Sequence, residues 1–598
     1  MKDLQQAVKK YWGYDSLLPL QDEAMSAALA KRDSIVVLPT GGGKSLCFQA
    51  PAVVSDGLTV VVSPLISLMK DQVDALIDCG VSAGRLDSSQ STNERAYTTR
   101  RLLDGALKLL YLAPERLLNG GVDLLANKKL SAIVIDEAHC VSMWGHDFRP
   151  EYRRLGELKT KFKNIPVHAF TATATERVRK DIVEQLHLDN PEILIGSFDR
   201  PNLIYRVERK RRTFKQVTEM LDRHRGESGI VYCIRRAEVE QMCADLQDAG
   251  YKAAPYHAGM EPDDRKRSQD AFISEDVDVI VATVAFGMGI DKSNVRFVIH
   301  AGMPKSIEHY QQESGRAGRD GLEADCLLLY SGGDYGMWKR ILENNEEEGL
   351  AISLRKLNDI YDFCAGVTCR HQGLVNYFGQ RLEKESCGAC DICLGQLDTA
   401  EGALIIAQKI ISCVARLNER YGAAYTTQVL VGSKEKRIIE AGHDKLSTFG
   451  LLSVFSTRAV RDWVEQLVAQ GFLCKTGEYN TLSLTASART VLSGKVTPRL
   501  LKASETKVKT SKQISENWEG VDRELFEELR TLRKKIAQEN DAPPYTVFHD
   551  TSLRDMARQK PLDKAGFLQI YGVGEAKVEK YADEFLPLIQ QSSKSQMN

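Results

Sequence analysis

The run "SIVVLPTGGGKS", Ser34 to Ser45, joins an aliphatic stretch to a glycine turn and then to a lysine and a serine. It reads as a short buried strand from Ile35 to Leu38, a tight loop, and a helix starting near Lys44. Gly41 and Gly43 let backbone N–H groups converge on a phosphate, the helix amino end adds positive potential, and Lys44 supplies a full charge. Thr40 opens the loop, and the Ser45 hydroxyl is placed for Mg²⁺. The strict spacing G-x-x-x-x-G-K-[ST] asks for glycine where Leu38 stands, so Thr40 to Ser45 must carry the cradle. Taken alone, this could be a glycine turn linking a strand to a helix.

A second motif, roughly ninety residues on, decides between those readings. "AIVIDEAH" is another hydrophobic run, and it ends in Asp136 and Glu137. Ligands of a parallel sheet collect at the carboxyl ends of its strands, so both motifs open on one crevice. There Asp136 can hold Mg²⁺ through its water shell, and Glu137 can orient or deprotonate the water that attacks a γ-phosphate. Directly afterwards, "CVSMWGHDFRPEY" packs Trp144, His146, Phe148 and Arg149 into a loop marked by Gly145, Asp147 and Pro150. Aromatic rings stacked on unpaired bases contribute roughly 1–3 kcal/mol each, and arginine adds phosphate contacts. The competing reading is hydrophobic packing of Trp144 and Phe148.

Two further clusters carry chemistry. Arg316 and Arg319 in "GRAGR" are spaced i, i+3, which on a helix gives one face able to reach a γ-phosphate across a cleft. Solvated arginines on a surface helix are the alternative. Cys387, Cys390 and Cys393 form C-x2-C-x2-C, with seventeen residues between Cys369 and the first of them. Four thiolates complete a tetrahedral set for structural zinc, while three at this spacing also suit an iron–sulfur cluster. Cys364, in the apolar "LNDIYDFCAGV", is expected in the core and His371 at the surface, neither as a ligand.

These groups need a scaffold, and 598 residues are too many for one hydrophobic core; three to five domains are expected. "GIVYCIRR" (229–236) and "DVIVATVAFGMGID" (278–291), with helical stretches between, repeat the strand, loop and helix pattern of the first motifs, so a second doubly wound α/β lobe is expected. From Glu401 to about Gly494 the chain reads as helices followed by a hairpin with Gly477 at its turn. Before the hairpin, Lys434, Lys436, Arg437, His443 and Lys445 could neutralise duplex phosphates without reading sequence. Lys495 to Ser515 reads as a flexible linker, and the helical block from Glu516 offers Tyr545 as a base-stacking ring. The formal net charge of −1 leaves any polyanion partner to a local basic groove. With no apolar run of about 18 residues and no signal-peptide core in "MKDLQQAVKK", a cytoplasmic protein is expected.

The order and spacing of "PTGGGKS", "SPLISLMKDQV", "DEAH", "TATAT", "SFDRPNL", "TVAFGMGIDK" and "QESGRAGRDG" resemble superfamily 2 helicases, and among them the RecQ DNA helicases. The resemblance covers nearly the whole chain. It implies helicase lobe 1 over 1–203, lobe 2 over 204–340, a helical zinc-binding module over 341–400, a winged-helix domain over 401–494, a linker over 495–515, and a helical carboxyl-terminal HRDC domain over 516–598. It implies an ATPase using Mg²⁺ that unwinds duplex DNA 3′ to 5′ for recombination and repair, with single-stranded and duplex DNA and a single-stranded DNA-binding protein as partners. Zinc is then favoured for the four cysteines. Arg319 takes the place of the arginine finger beside Arg316 and Gln312, Asp291 joins the nucleotide-binding set, and Trp144, His146, Phe148 and Arg149 match a loop that couples strand binding to hydrolysis. In "YWGYDSLLPLQDEAM", Gln21 matches the amide that reads adenine and Tyr14 the stacking ring, while Leu18 stands where relatives commonly carry arginine. Two other readings compete: an RNA-remodelling ATPase, and a DNA-binding scaffold with a degenerate motor.

Overall fold

Seven short runs, most of them aliphatic, form the first sheet: β1 (Ser34–Val37), β2 (Leu58–Val62), β3 (Ala83–Leu86), β4 (Leu109–Leu112), β5 (Leu130–Ile135), β6 (Val167–Thr171) and β7 (Glu192–Ile195). The structure, a computed structural model, describes residues 2–145, 147–287, 292–344, 349–384, 386–395, 400–476, 480–502, 518–540 and 542–595. All seven strands are parallel, in the order β3-β4-β2-β5-β6-β1-β7. Helices cover both faces, so alternate residues feed two separate cores: Ile35 and Val37 on one side, Val36 and Leu38 on the other. The strand order makes β5, β6 and β1 neighbours, and this brings their carboxyl-end loops to one crevice.

The second sheet repeats the plan with β8 (Leu203–Arg209), β9 (Ser228–Tyr232), β10 (Ala253–Tyr256), β11 (Val279–Ala282), β12 (Val295–His300) and β13 (Ala324–Tyr330), in the parallel order β10-β11-β9-β12-β13-β8. Its edge strand β8 is covered by the cysteine module. Tyr205 N–H donates to Ala389 O at 3.1 Å, and Asp391 N–H donates back to Tyr205 O at 2.9 Å. The Asp391 carboxylate also accepts from Val207 N–H at 3.0 Å and from the buried Arg370 at 2.9 Å. A sheet edge that would otherwise present unpaired backbone is thereby closed.

The next domain is built on helices Ala403–Arg416, Ala423–Val431 and Thr457–Ala469 with an antiparallel hairpin, β14 (Leu473–Thr476) and β15 (Thr481–Leu484). The turn residue Gly477 lies outside the described residues. One expectation fails here: the linker does not begin at Lys495. Leu500 is fully buried in this domain's core, its carbonyl accepts from Ala400 N–H at 2.7 Å, and Gln466 holds the Leu501 N–H at 2.8 Å. Two leucines in a polar run were enough to anchor it.

The carboxyl-terminal helices pack against lobe 2. Arg533, buried completely, meets Glu275 at 3.5 Å, Lys534 donates to Glu275 O at 2.7 Å, and Ser293 bonds His549 at 2.8 Å. Among the described residues no helix is long and apolar enough to cross a membrane.

Candidate active site, aromatic loop and metal centre

The phosphate loop follows β1. Gly41 (φ +84°) and Gly43 (φ +68°) both take the left-handed conformation, and Gly43 caps the helix Lys44–Val54, whose N–H groups point at the crevice. Lys44 Nζ donates to Leu38 O at 3.3 Å, closing the loop across the position where the strict pattern has glycine. Ser45 Oγ accepts from Gln72 Nε2 at 2.9 Å, and Gln72 is itself fixed by Tyr111 OH at 2.9 Å. Gln72 lies in "SPLISLMKDQV", so this segment orients the hydroxyl proposed for Mg²⁺; its role is visible only in three dimensions. Gln21 is buried, accepts from Leu18 N–H at 2.8 Å and donates to Gly43 O at 3.2 Å. It therefore ties the amino-terminal segment to the phosphate loop, while Tyr14 and Leu18 stay exposed.

Asp136 follows β5 and is buried. Burial first, then the charge of Glu137, pushes its carboxyl above the usual carboxylate range, against the pull of Lys44. Glu137 sits at φ +49°, a strained conformation for a side-chain-bearing residue. Burial would raise its carboxyl too, but His139, whose Nδ1 lies 3.3 Å from Oε2, with Lys44 and Arg316, holds it below the usual carboxylate range. His139 Nδ1 also lies 2.9 Å from Thr171 Oγ1 at the end of β6, linking the acidic pair to "TATAT". One carboxylate of the pair is thus held ionised beside the lysine, as water activation requires. The other becomes a good cation ligand once a metal charge replaces the lost solvent.

Arg316 and Arg319 do not share a helical face. The helix ends at Ser314, and both arginines ride the turn beyond it, because Gly318 (φ +56°) reverses the chain close against Asn202. Arg316 is buried and donates to Gly287 O; Arg319 is half-buried beside the phosphate loop, its Cα 3.6 Å from where a Cβ on Gly41 would stand. Gln312 lies on the helix Ile307–Ser314. Asp291 and His146 lie outside the described residues.

The aromatic loop folds straight back onto the acidic turn. A Cβ on Gly145 would come within 2.2 Å of His139 O, so only glycine permits this approach. Arg149 donates to Pro64 O at 3.1 Å and pairs with Asp147 at 3.1 Å. Phe148 is half-buried, as is Trp144, whose ring lies under the Arg177 guanidinium. The carbonyls of Trp144 and Gly145 accept from Lys356 Nζ at 2.7 and 2.8 Å, and the same ammonium meets Glu308 at 3.1 Å. Glu308 is on the helix that leads to Arg316 and Arg319, so the loop is wired to both sides of the cleft. Sequence reading missed Arg177 and Lys356, which lie outside every motif and meet the loop only through the fold.

Cys369, Cys387, Cys390 and Cys393 place their sulfurs within 4.8 Å of one another. Crowding by Cys387 and Cys390 holds the Cys369 thiol below its ordinary range, and a divalent cation would displace the protons of such a cluster. Four sulfurs converging this closely fit structural zinc. Cys364 is buried away from them, as expected. His371 corrects the sequence reading: it is buried rather than at the surface, bonded to Asp199 at 2.6 Å and near the carbonyls of Leu203 and Ala389. Its neighbours in sequence, Arg370 and Gln372, are polar and its partner Asp199 is distant in the chain, so no local signal marked it.

Five family models match: DEAD/DEAH box helicase over 18–182, helicase conserved C-terminal domain over 212–321, RecQ zinc-binding over 332–394, RQC domain over 403–509 and HRDC domain over 522–589. The protein named ATP-dependent DNA helicase RecQ in Haemophilus influenzae is 44% identical over 98% of this chain and 95% of its own length. That of Bacillus subtilis is 40% identical over 98% of both chains. The chain belongs to the RecQ family.

Two accessory surfaces of this RecQ chain follow. In the RQC domain, Arg437 stands over the Tyr425 ring at 5.0 Å, His443 Nδ1 bonds Tyr425 OH at 2.7 Å, and Tyr421 stacks on Tyr425 at 4.2 Å. The basic candidates therefore surround an aromatic pair that charge counting overlooked, while Lys434, Lys436 and Lys445 stay exposed. In the HRDC domain, Tyr545 is half-buried on the short helix Pro544–Val547; Tyr571, beside the turn "GVG", is the freer ring at 67% exposure.

Proposed function

We propose that this RecQ chain is a DNA-stimulated ATPase that translocates 3′ to 5′ on single-stranded DNA and unwinds duplexes in the cytoplasm during recombination and repair. Lys44 and the phosphate-loop amides hold the ATP phosphates, Ser45 and Asp136 hold Mg²⁺, Glu137 positions the attacking water, and Arg316 and Arg319 neutralise the transferring phosphoryl from lobe 2. Bound by these residues, Mg²⁺ would supply positive charge against the charge that develops on the phosphate oxygens. Trp144, His146, Phe148 and Arg149 meet the single strand along which the chain translocates, and the RQC and HRDC domains meet duplex and single-stranded DNA. A single-stranded DNA-binding protein is a partner in this reading.

The observation that carries it is the aromatic loop seated on the acidic turn through Gly145. A base that takes the Trp144 ring from Arg177 acts on a loop in backbone contact with His139, whose imidazole lies 3.3 Å from the Glu137 carboxylate. The reading is tested by ATP hydrolysis with single-stranded DNA, single-stranded RNA of the same sequence, or neither. DNA is expected to stimulate far more than RNA, and Trp144→Ala to lower the DNA-stimulated rate at least about tenfold, in line with one stacking contact, with the basal rate within about twofold. Equal losses in both rates would return the loop to core packing, and stronger stimulation by RNA would favour the RNA-remodelling alternative.

A further inference from the structure

We propose that Arg200 is a positioning residue that fixes the finger-bearing turn of lobe 2 against the phosphate loop of lobe 1. Arg200 belongs to the segment joining β7 to β8, the connection between the lobes, and no catalytic role has been given to it above. Its guanidinium reaches both sides of the cleft: Nη1 donates to Thr40 O at 2.5 Å and approaches Gly315 O at 3.4 Å, while Nη2 donates to Ala317 O at 3.1 Å and Gly318 O at 2.8 Å. Nε reaches Asn202 Oδ1 at 3.3 Å, and Asn202 Nδ2 in turn holds Gly318 O at 2.9 Å and Leu322 O at 2.8 Å.

Three features give this arrangement its meaning. Three of the carbonyls it gathers, those of Gly315, Ala317 and Gly318, lie in the turn that follows the helix Ile307–Ser314 and carries Arg316 and Arg319. The surfaces it joins already touch: a Cβ on Gly315 would lie 3.3 Å from Thr40 Cβ, and Arg319 Cα borders Gly41. Finally, a planar fork of five donors suits four carbonyls in two lobes, whereas an ammonium is a point charge with three. A shift of about 1 Å in a reacting group can cost on the order of 10² in rate, and this turn carries the group that must reach the γ-phosphate.

The inference rests on Arg319 acting as the finger, and a thermodynamic cycle separates the two. DNA-stimulated hydrolysis is measured for the full chain and for Arg200→Lys, Arg200→Ala, Arg319→Ala and the double variants, with thermal melting and DNA binding as controls. Arg200→Ala is expected to lower kcat by about 10² and Arg200→Lys by about 10-fold, with the KM for ATP within about threefold. On the Arg319→Ala background neither is expected to lower kcat further, while their effect on melting is unchanged; a merely structural brace would give losses that multiply. If Arg200→Ala does not fold, the Arg200→Lys cycle carries the test. Arg200→Lys with kcat within about twofold of the parent, or multiplicative losses, overturns the proposal. Normal hydrolysis by Arg319→Ala would instead remove the finger assignment beneath it.

Discussion

Lys44→Ala eliminates ATP turnover, with kcat falling by on the order of 10³ or more, while single-stranded DNA binding stays within about threefold of the parent. The magnitude follows from removing a preorganised full charge at the place where phosphoryl charge develops, in a site partly shielded from water. Lys44 is the first residue of an eleven-residue helix whose amino end already favours anions, so the amide cradle survives the substitution and nucleotide binding falls less than chemistry. The side chain bonds only Leu38 O among the described contacts, so folding is largely spared. Steady-state hydrolysis with Mg²⁺ and a fluorescence binding titration check both halves. Hydrolysis at the parent rate would remove the site assignment, and lost DNA binding with a lowered melting temperature would mean that the residue serves the fold.

Cys390→Ser releases the metal and destabilises the second lobe along with the cysteine module. Cys390 is fully buried, and its two neighbours in sequence form the backbone bonds that close the edge strand β8: Ala389 accepts from Tyr205, and Asp391 donates to it. Structural zinc in small modules contributes on the order of 10 kcal/mol of binding free energy at neutral pH, a large share of which is folding free energy. The variant should therefore carry about one equivalent less zinc, melt at least 10 °C lower and aggregate when concentrated, all measurable by elemental analysis and calorimetry. Retention of a full equivalent of zinc with an unchanged melting profile would refute the ligand role.

The two α/β lobes were legible because parallel buried strands leave continuous β-branched runs, and because phosphate, metal and arginine chemistry each need fixed local spacings. Leu38 shows the same logic in reverse: the loop tolerates it because Lys44 bonds its carbonyl, not its side chain. What escaped the sequence was whatever depends on contacts between distant segments. Nothing near Lys356 announces that its ammonium joins Trp144 and Gly145 to Glu308. His371 looked like a surface residue because its partner Asp199 is 172 positions away. Arg316 and Arg319 were placed on one helix by spacing, and Gly318 undid this by turning the chain after Ser314. Leu500 and Leu501 were absorbed into a polar linker by composition, although the anchoring partners, Gln466 and Ala400, belong to the preceding domain.

The central claim is that ATP hydrolysis in the cleft drives this chain along one strand of a DNA duplex. Strand displacement on otherwise identical duplexes bearing a 3′ or a 5′ single-stranded tail, with ATP and Mg²⁺, tests it most directly. Displacement of the 3′-tailed substrate is expected, with little of the 5′-tailed one, and none of either when ATP is replaced by a non-hydrolysable analogue or Lys44 by alanine. Displacement that persists without hydrolysis, or tight DNA binding with no displacement of either substrate, would contradict it.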